Sequence, residues 1–233
     1  MIYIATLVTI FLTSVLSGVF GMAGGLVLMF VLLSLYSVPV AMVLHGLVQL
    51  TANGSRCFIL RSHVITEINL YYLSGALVAL IAFTVISLTP EKAYVLIMLG
   101  LFPILMKLAV KFWRFDIRNK KSAVGAGFMM TSLQMLAGVS GPALDVFYQN
   151  SRLSRFEIVA NKALSQMISH LFKSIFYISL IGIDNPLPSW LFALAAIFAI
   201  MGTRVGTIIL GNWNESSFKR YTNKLITGVS FIC

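Results

Sequence analysis

Lys162-Ala-Leu-Ser-Gln166-Met-Ile-Ser-His170-Leu-Phe-Lys173 sets four polar side chains into an otherwise apolar run of helical length. At about 100° per residue, these positions fall within a helix sector of about 80°, so the four side chains share one face. We call Lys162, Gln166, His170 and Lys173 the second stripe. A charge in the middle of a bilayer costs roughly 2.5 to 3.5 kcal/mol on insertion scales, so a polar stripe in a membrane helix needs partners or a function.

The same pattern occurs earlier in the chain. His45-Gly-Leu-Val-Gln49-Leu-Thr-Ala-Asn53-Gly-Ser-Arg56 has polar residues at the same offsets, again with Gln second and a cation last. We call His45, Gln49, Asn53 and Arg56 the first stripe. Two matching stripes predict one site that forms between two equivalent helices.

The composition predicts a polytopic membrane protein. Of the 233 residues, 59% are hydrophobic and 10% are charged, which a water-soluble domain of this length would not tolerate on its surface. Lys and Arg number 17 against 7 Asp and Glu. Most of this excess lies in short loops, where it predicts membrane topology rather than nucleic-acid binding. Cys57 and Cys233 lack the spacing of a metal or redox site, and we expect no metal, no cofactor and no disulfide.

Glycine-rich motifs interrupt two of the apolar runs. Gly18-Val-Phe-Gly21-Met-Ala-Gly24-Gly25 lies within residues 2–36, a run longer than the ~20 residues of one span, and predicts a broken helix or a re-entrant hairpin. Gly138-Val-Ser140-Gly141-Pro142 interrupts residues 123–148 in the same way. The helices with the first and second stripes are expected over 40–60 and 157–181, and plainer helices over 68–88, 93–112, 189–211 and from 216 to 233.

These elements form a tandem repeat of about 120 residues within one membrane domain, residues 1–233, with repeat 1 over 1–113 and repeat 2 over 122–233. If each broken segment enters and leaves on the same side, eleven loop cations share one face and Lys92 lies on the other, as the positive-inside rule favours. The fold class is therefore an all-α membrane protein of two inverted repeats, multi-pass in the cell (inner) membrane, with the N-terminus outside. The eleven cations are Arg61, Lys107, Lys111, Arg114, Arg118, Lys120, Lys121, Arg152, Arg155, Lys219 and Arg220.

Inversion would bring the middle of the two stripes together near the midplane, with their terminal cations toward opposite sides. Helix N-termini after the two glycine motifs would add free N–H groups and the positive end of a helix dipole. Cations, neutral donors and amide termini together predict a site for a small anion. The candidate substrate-binding residues are His45, Gln49, Asn53, Arg56, Lys162, Gln166, His170, Lys173, Gly21, Gly24 and Gly141.

Each candidate also has a structural interpretation. Lysines and arginines near helix ends can snorkel, buried amides can join helices, and glycines can allow close helix packing. Asp145 is expected to cap or pair within the second broken segment, with Lys162 as its partner. Arg204 has no counterpart in repeat 1, and it is either an asymmetric substrate contact or a snorkelling side chain.

The two glycine motifs, and above all Val159-Ala-Asn161-Lys162-Ala-Leu-Ser-Gln166-Met-Ile-Ser-His170-Leu-Phe-Lys173, resemble the TauE/SafE sulfite exporter family, a family of 4-toluene sulfonate uptake permeases. The resemblance covers both halves of the chain. Asn161 differs from the family pattern, where Thr is expected. The resemblance implies a permease for sulfite, sulfonates or small carboxylates. With the inverted repeats, it predicts a secondary transporter, expected to be an exporter, that works by alternating access.

Two other functions stay open. An anion channel would use the same cations but would show linear, unsaturable flux. An intramembrane serine protease would use Ser140 in Gly138-Val-Ser140-Gly141, with His170 as the base, although Phe20 replaces this serine in the first motif. The carrier interpretation requires no catalytic residue, so we expect no enzyme. Protons are candidate coupling ions through the histidines, the lipid bilayer is a partner, and a homodimer is left open.

Overall fold

The computed structural model describes residues 1–20, 24–112, 115–148, 151–181 and 187–213. Within these ranges the chain forms nine α-helices, one 3₁₀ turn and no strand. The helices predicted over 40–60, 68–88, 93–112, 157–181 and 189–211 are confirmed, each within two residues of its bounds. Gly21 and the helix predicted from 216 to 233 lie outside the described residues. The elements are α1 Ile2–Phe20, α2 Gly24–Leu35, α3 Val38–Ile59, the 3₁₀ turn Arg61–His63, α4 Thr66–Ile86, α5 Lys92–Phe112, α6 Lys120–Ala137, α7 Gly141–Tyr148, α8 Arg155–Ile181 and α9 Ser189–Gly211.

Three of these helices, α1, α4 and α9, are long and apolar enough to cross a membrane. Helices α3 and α8 are of comparable length, at 22 and 27 residues, and contain the two polar stripes. Large apolar side chains such as Val85, Ile97 and Ile208 point outward from the bundle and are exposed. An apolar exterior around buried polar side chains is the distribution expected of a protein surrounded by lipid.

Helices α1 and α2 form a hairpin. The hydroxyl groups of Thr6, near the start of α1, and Tyr36, just beyond α2, form a hydrogen bond of 2.9 Å. A Cβ added to Gly24 would overlap the carbonyl oxygen of Thr13, so glycine permits the close approach of the two helices. The chain therefore enters and leaves this segment at the same end of the molecule.

Helices α6 and α7 form a second hairpin. The side chain of Asn119 caps α6 by accepting a hydrogen bond of 2.9 Å from the N–H of Lys121. The helix ends at Gly138, whose φ of 75° lies in the left-handed region that favours glycine. The N–H of Ile117 then donates to the carbonyl of Phe147 at 2.9 Å, so the two ends of this hairpin also lie side by side.

Helix α1, the first helix of predicted repeat 1, packs against α9 of predicted repeat 2. The ring of Tyr3 lies edge-on to that of Trp190, with 5.3 Å between their centroids, and further along a Cβ on Gly206 would overlap the carbonyl oxygen of Val15. Helices α1 and α9 therefore run parallel in backbone contact, as small residues allow.

Helix α6, the first helix of predicted repeat 2, packs against α4 of predicted repeat 1 in the same way. The ammonium group of Lys120 lies 5.1 Å from the ring centroid of Tyr71, and a Cβ on Gly75 would overlap the carbonyl oxygen of Val124. Helices α4 and α6 therefore also run parallel. We call α1–α9 and α4–α6 the crossed pairs, because each takes one helix from each predicted repeat.

The two helices with polar stripes cross in the centre of the molecule. A Cβ on Gly46 would overlap the hydroxyl of Ser174, whereas a Cβ on Gly54 would lie 3.4 Å from the sulfur of Met167. Residue numbers rise along α3 where they fall along α8, so the two helices are antiparallel. This crossing brings the two stripes face to face.

The basic loops lie at one end of the molecule, which we call the basic end. Arg155 at the start of α8 donates to the carbonyl of Trp213 beyond α9, and Lys120 at the start of α6 lies 3.7 Å from the carboxylate of Glu67 on α4. Lys92 follows the opposite end of α4. The described cations at the basic end are Arg61, Arg118, Lys120, Lys121, Arg152 and Arg155.

Candidate functional site

A small cavity of about 20 Å³ lies between α3 and α8, beside the helix breaks. Pockets that bind drug-sized molecules have volumes of at least ~300 Å³, so this cavity suits only a very small ligand. Four stripe residues contribute to its wall, together with the start of α2, one residue of α6 and the start of α7. The lining residues are Gly25, Leu26, His45, Gln49, Gln134, Val139, Ser140, Gly141, Pro142, Gln166 and His170.

His45 is fixed in one tautomer by two hydrogen bonds. Its Nε2 donates to the carbonyl oxygen of Gly25 at 2.9 Å, and its Nδ1 accepts from the ammonium group of Lys173 at 2.8 Å. Nε2 faces a carbonyl and therefore holds a proton, and while Lys173 is charged Nδ1 can only accept, so His45 is then neutral. Lys173 also donates to the carbonyl of Gly138 at 2.9 Å and lies behind His45 rather than in the cavity wall.

His170 lies opposite His45, with 5.3 Å between the ring centroids. The side-chain nitrogen of Gln134 donates to the hydroxyl of Ser140 at 3.0 Å and lies 3.2 Å from Nε2 of His170. In this amide orientation Nε2 accepts, so the neutral ring holds its proton on Nδ1. Nδ1 of His170 has no hydrogen-bond partner.

Gln49 supplies a second donor without a partner. Its side-chain nitrogen is buried and makes no hydrogen bond, while its backbone carbonyl accepts from Asn53 at 2.8 Å. Two residues of the cavity wall thus have an unpaired N–H donor, Gln49 on α3 and His170 on α8. An unsatisfied buried donor costs roughly 1 to 3 kcal/mol. A ligand that accepts hydrogen bonds on both sides is therefore favoured here, and an oxyanion is such a ligand.

The end of the first stripe lies outside the cavity wall. Asn53 accepts a hydrogen bond of 3.1 Å from Nη1 of Arg56. Arg56 is 0% exposed, and its Nε and Nη2 groups have no hydrogen-bond partner. The snorkelling interpretation of Arg56 is therefore wrong, because a snorkelling side chain would extend its guanidinium to the surface.

Lys162 forms an ion pair with Asp145, as the sequence predicted. The pair joins α8 to α7, and the two side chains are only 4% and 15% exposed. The charge of Lys162 is thus compensated, and its side chain is not in the cavity wall. Arg204 on α9 is exposed, consistent with the snorkelling interpretation.

The three candidate glycines have different positions. Gly141 lines the cavity at the start of α7, whereas Gly24 packs against α1 within the first hairpin. Gly21 lies outside the described residues. The second glycine motif therefore lines the cavity. The described part of the first glycine motif contributes Gly25 to the same wall.

Asn161 uses all of its side-chain hydrogen-bonding groups between helices. Its oxygen accepts from the N–H of Ile65 and from Asn69, both at 2.8 Å, and its nitrogen donates to the carbonyls of His63 at 3.1 Å and Glu157 at 2.7 Å. These contacts fasten α8 to the start of α4 and to the 3₁₀ turn, away from the cavity wall.

Gln134 is a site residue that sequence reasoning missed. It is a lone amide in α6, and the position 120 residues earlier is Ser14, so the repeat gave no matching pair. The sequence signal that could have identified Gln134 is its position four residues before Gly138, one helical turn from the break.

The described contacts do not form a serine–histidine pair or a metal centre. The hydroxyl of Ser140 binds Gln134, which separates it from Nε2 of His170. Among the residues that the structure describes, no group of three or more His, Cys, Asp or Glu side chains could hold a metal ion.

The family model described as sulfite exporter TauE/SafE matches residues 6–231 of the chain. The match includes both stripes, both glycine motifs and every residue of the cavity wall. No curated protein and no solved structure matches the chain.

Proposed function

Because the chain belongs to the sulfite exporter TauE/SafE family, whose members are membrane transporters, we propose that it is a secondary transporter of a small anion such as sulfite or an organosulfur compound. The observation that carries this proposal is the pair of unpaired donors, on Gln49 and His170, in the wall of one central cavity. Export is the proposed direction.

The electrostatics of the cavity support an anion. Lys173 lies one hydrogen bond behind His45, whereas the nearby carboxylate of Asp145 is compensated by Lys162. A buried cation within a low-dielectric region attracts an anion more strongly than it would in water. Sulfite, a short sulfonate and a small carboxylate each place two or more acceptor oxygens on one atom, which suits donors that approach from opposite helices.

Arg56 is proposed as a second anion contact on the route to the basic end. Its Nε and Nη2 nitrogens are buried without a hydrogen-bond partner, and a buried cation without a counter-charge is strongly unfavourable unless an anion approaches it. Since α3 leads from His45 through Arg56 to the basic end, an anion that leaves the cavity along this helix meets the guanidinium next.

Alternating access between two inverted repeats, residues 1–113 and 122–233, is the proposed mechanism. The antiparallel crossing of α3 and α8 supports inversion, because equivalent helices related by an axis in the membrane plane run in opposite directions. The clustering of cations at one end supports a cytoplasmic basic end, with the N-terminus of the chain outside and the protein in the cell inner membrane. Formation of a homodimer stays a prediction.

Flux into proteoliposomes tests the proposal. Sulfite, sulfate, a short sulfonate and a small carboxylate are supplied separately, and initial rates are recorded against concentration. We expect saturable flux of one or more of these anions. Gln49→Met removes one unpaired donor, and since a hydrogen bond to a charged group contributes roughly 1.5 to 3 kcal/mol, half-saturation should rise roughly 10- to 100-fold.

His63→Asn is the matched control, because His63 lies in the 3₁₀ turn at the basic end and outside the cavity wall. It should leave the half-saturation concentration unchanged. Equal effects of the two substitutions, or flux of no anion at all, would contradict the proposed site.

Two alternatives have their own signatures in this assay. Flux that rises linearly without saturating would indicate a channel. Ser140→Ala separates a carrier from an intramembrane protease, since anion flux should largely survive the loss of the hydroxyl whereas peptide cleavage requires it.

A further inference from the structure

The two histidines of the cavity differ in whether they can accept a proton. Both ring nitrogens of His45 already form hydrogen bonds, one to the carbonyl of Gly25 and the other to the side-chain nitrogen of Lys173. A proton on Nδ1 of His45 would face the hydrogens of Lys173, so His45 stays neutral while Lys173 is charged. Nε2 of His170 faces a side-chain amide instead.

The amide of Gln134 can turn by 180° and exchange its donor for its acceptor. In the structure its nitrogen faces His170, and its oxygen is buried without a partner. After the turn, the amide oxygen would accept a hydrogen bond from the protonated Nε2 of His170. The hydroxyl of Ser140, which accepts from Gln134 in the structure, would then donate to the same oxygen. When His170 is protonated, the turned amide therefore replaces both hydrogen bonds that the original orientation made.

The turn also changes what the cavity offers a ligand. The unpaired oxygen of Gln134, which repels an anion, is replaced by an unpaired N–H donor, which attracts one. The titratable groups that face His170 are His45 from α3 and Lys173 from its own helix. While Lys173 is positive, a second positive charge on His170 is unfavourable until an anion occupies the cavity. Proton and anion therefore each favour binding of the other.

We propose that His170 and Gln134 form a proton switch that couples anion movement to the movement of a proton in the same direction. The proton bonds to Nε2 of His170 when the cavity is open to one side and leaves from Nε2 when it is open to the other. This proposal rests on the proposed transport function and names its coupling ion and the residues that bind it.

The test measures protons and anions together in proteoliposomes that contain a pH-sensitive dye. Methanesulfonate is the preferred probe because its own sulfonate stays ionised near neutral pH, and sulfite is the second probe. We expect about one proton per anion in the wild type. His170→Gln and Gln134→Leu should bring this ratio close to zero in the flux that remains, whereas His63→Asn should keep the wild-type ratio.

The outcomes separate the two proposals. Saturable anion flux with no accompanying proton in the wild type overturns the switch and leaves the transport function standing. Unchanged ratios in both His170→Gln and Gln134→Leu also overturn the switch. Absence of saturable flux in the wild type for both probes, and also for sulfate and a small carboxylate, counts against the transport function itself.

Nitrogen NMR of the wild type tests the switch without any cavity substitution. In protein labelled with ¹⁵N-histidine and free of anion, we expect two buried neutral rings in opposite tautomers, Nε2–H for His45 and Nδ1–H for His170. The signal of the half-buried His63 is identified by its loss in His63→Asn. Addition of sulfite should protonate the Nδ1–H ring alone. Two Nε2–H rings, or two rings that both stay neutral with sulfite bound, would overturn the proposal.

Discussion

Substitution of the buried ion pair between Lys162 and Asp145 gives a sharp test of which stripe residues are structural. Both side chains are largely buried and each compensates the other. Removal of one partner from a buried pair leaves an uncompensated charge and typically costs about 3 to 5 kcal/mol. Replacement of both partners by neutral groups is often close to neutral. Lys162→Met and Asp145→Asn should each destabilise the protein by about 3 to 5 kcal/mol, and the double variant should recover most of that loss.

Unfolding free energies of detergent-purified protein, arranged as a double-mutant cycle, measure this directly. Anion flux of the same four proteins in liposomes provides the second readout, normalised to folded protein. Since Lys162 is outside the cavity wall, the double variant should keep its half-saturation concentration.

Two results would refute this reasoning. Additive stability losses in the double variant would show that the two side chains are not coupled. A double variant that folds well but has lost affinity for every anion would show that Lys162 contacts the substrate, as the original stripe hypothesis held.

Three further predictions follow from other contacts. Gly127→Ala should destabilise the protein by about 1 to 3 kcal/mol in a thermal-denaturation assay, because the added Cβ would overlap a backbone carbonyl of α4. Gly125→Ala in the same helix meets nothing within 4 Å and should instead stabilise the protein by about 0.5 to 1 kcal/mol, because alanine favours a helix over glycine. Asn161→Leu should cost at least about 3 kcal/mol, since several buried backbone and side-chain groups lose their partner, while the anion affinity of the folded fraction stays unchanged in flux assays. Arg56→Met should lower anion flux at least about 10-fold, whereas Arg61→Met, at the exposed basic end, should leave it near the wild-type rate; equal rates in the two variants would show that the anion does not pass Arg56.

The helices were predictable because two simple signals agreed. Apolar runs of spanning length fixed α4, α5 and α9, and glycine clusters located both breaks. The stripes also identified His45, Gln49, Gln166 and His170, all of which line the cavity, because polar residues at helical spacing in apolar runs are rare and must face inward.

The pairing of individual side chains was less accessible to sequence reasoning. Spacing placed Lys173 on the same face as His170, but only the fold shows that its ammonium group is directed to His45 and a helix end rather than to the cavity. Gln134 lies on a helix that has no stripe, and its role depends on the hairpin that brings α6 against α8. Such contacts between distant segments leave no periodic signal in the chain.

The crossed pairs also set the order in which this protein can be assembled. Helix α4 ends at Ile86 and its partner α6 begins at Lys120, but α1 ends at Phe20 and its partner α9 begins only at Ser189. At a synthesis rate of about 5 to 20 residues per second, α1 therefore stays in the bilayer for roughly 10 to 30 s before its partner is made. The amino-terminal half cannot complete its packing until α9 has been made. Two halves synthesised from separate messages would have to interleave, rather than merely dock, to produce the same molecule.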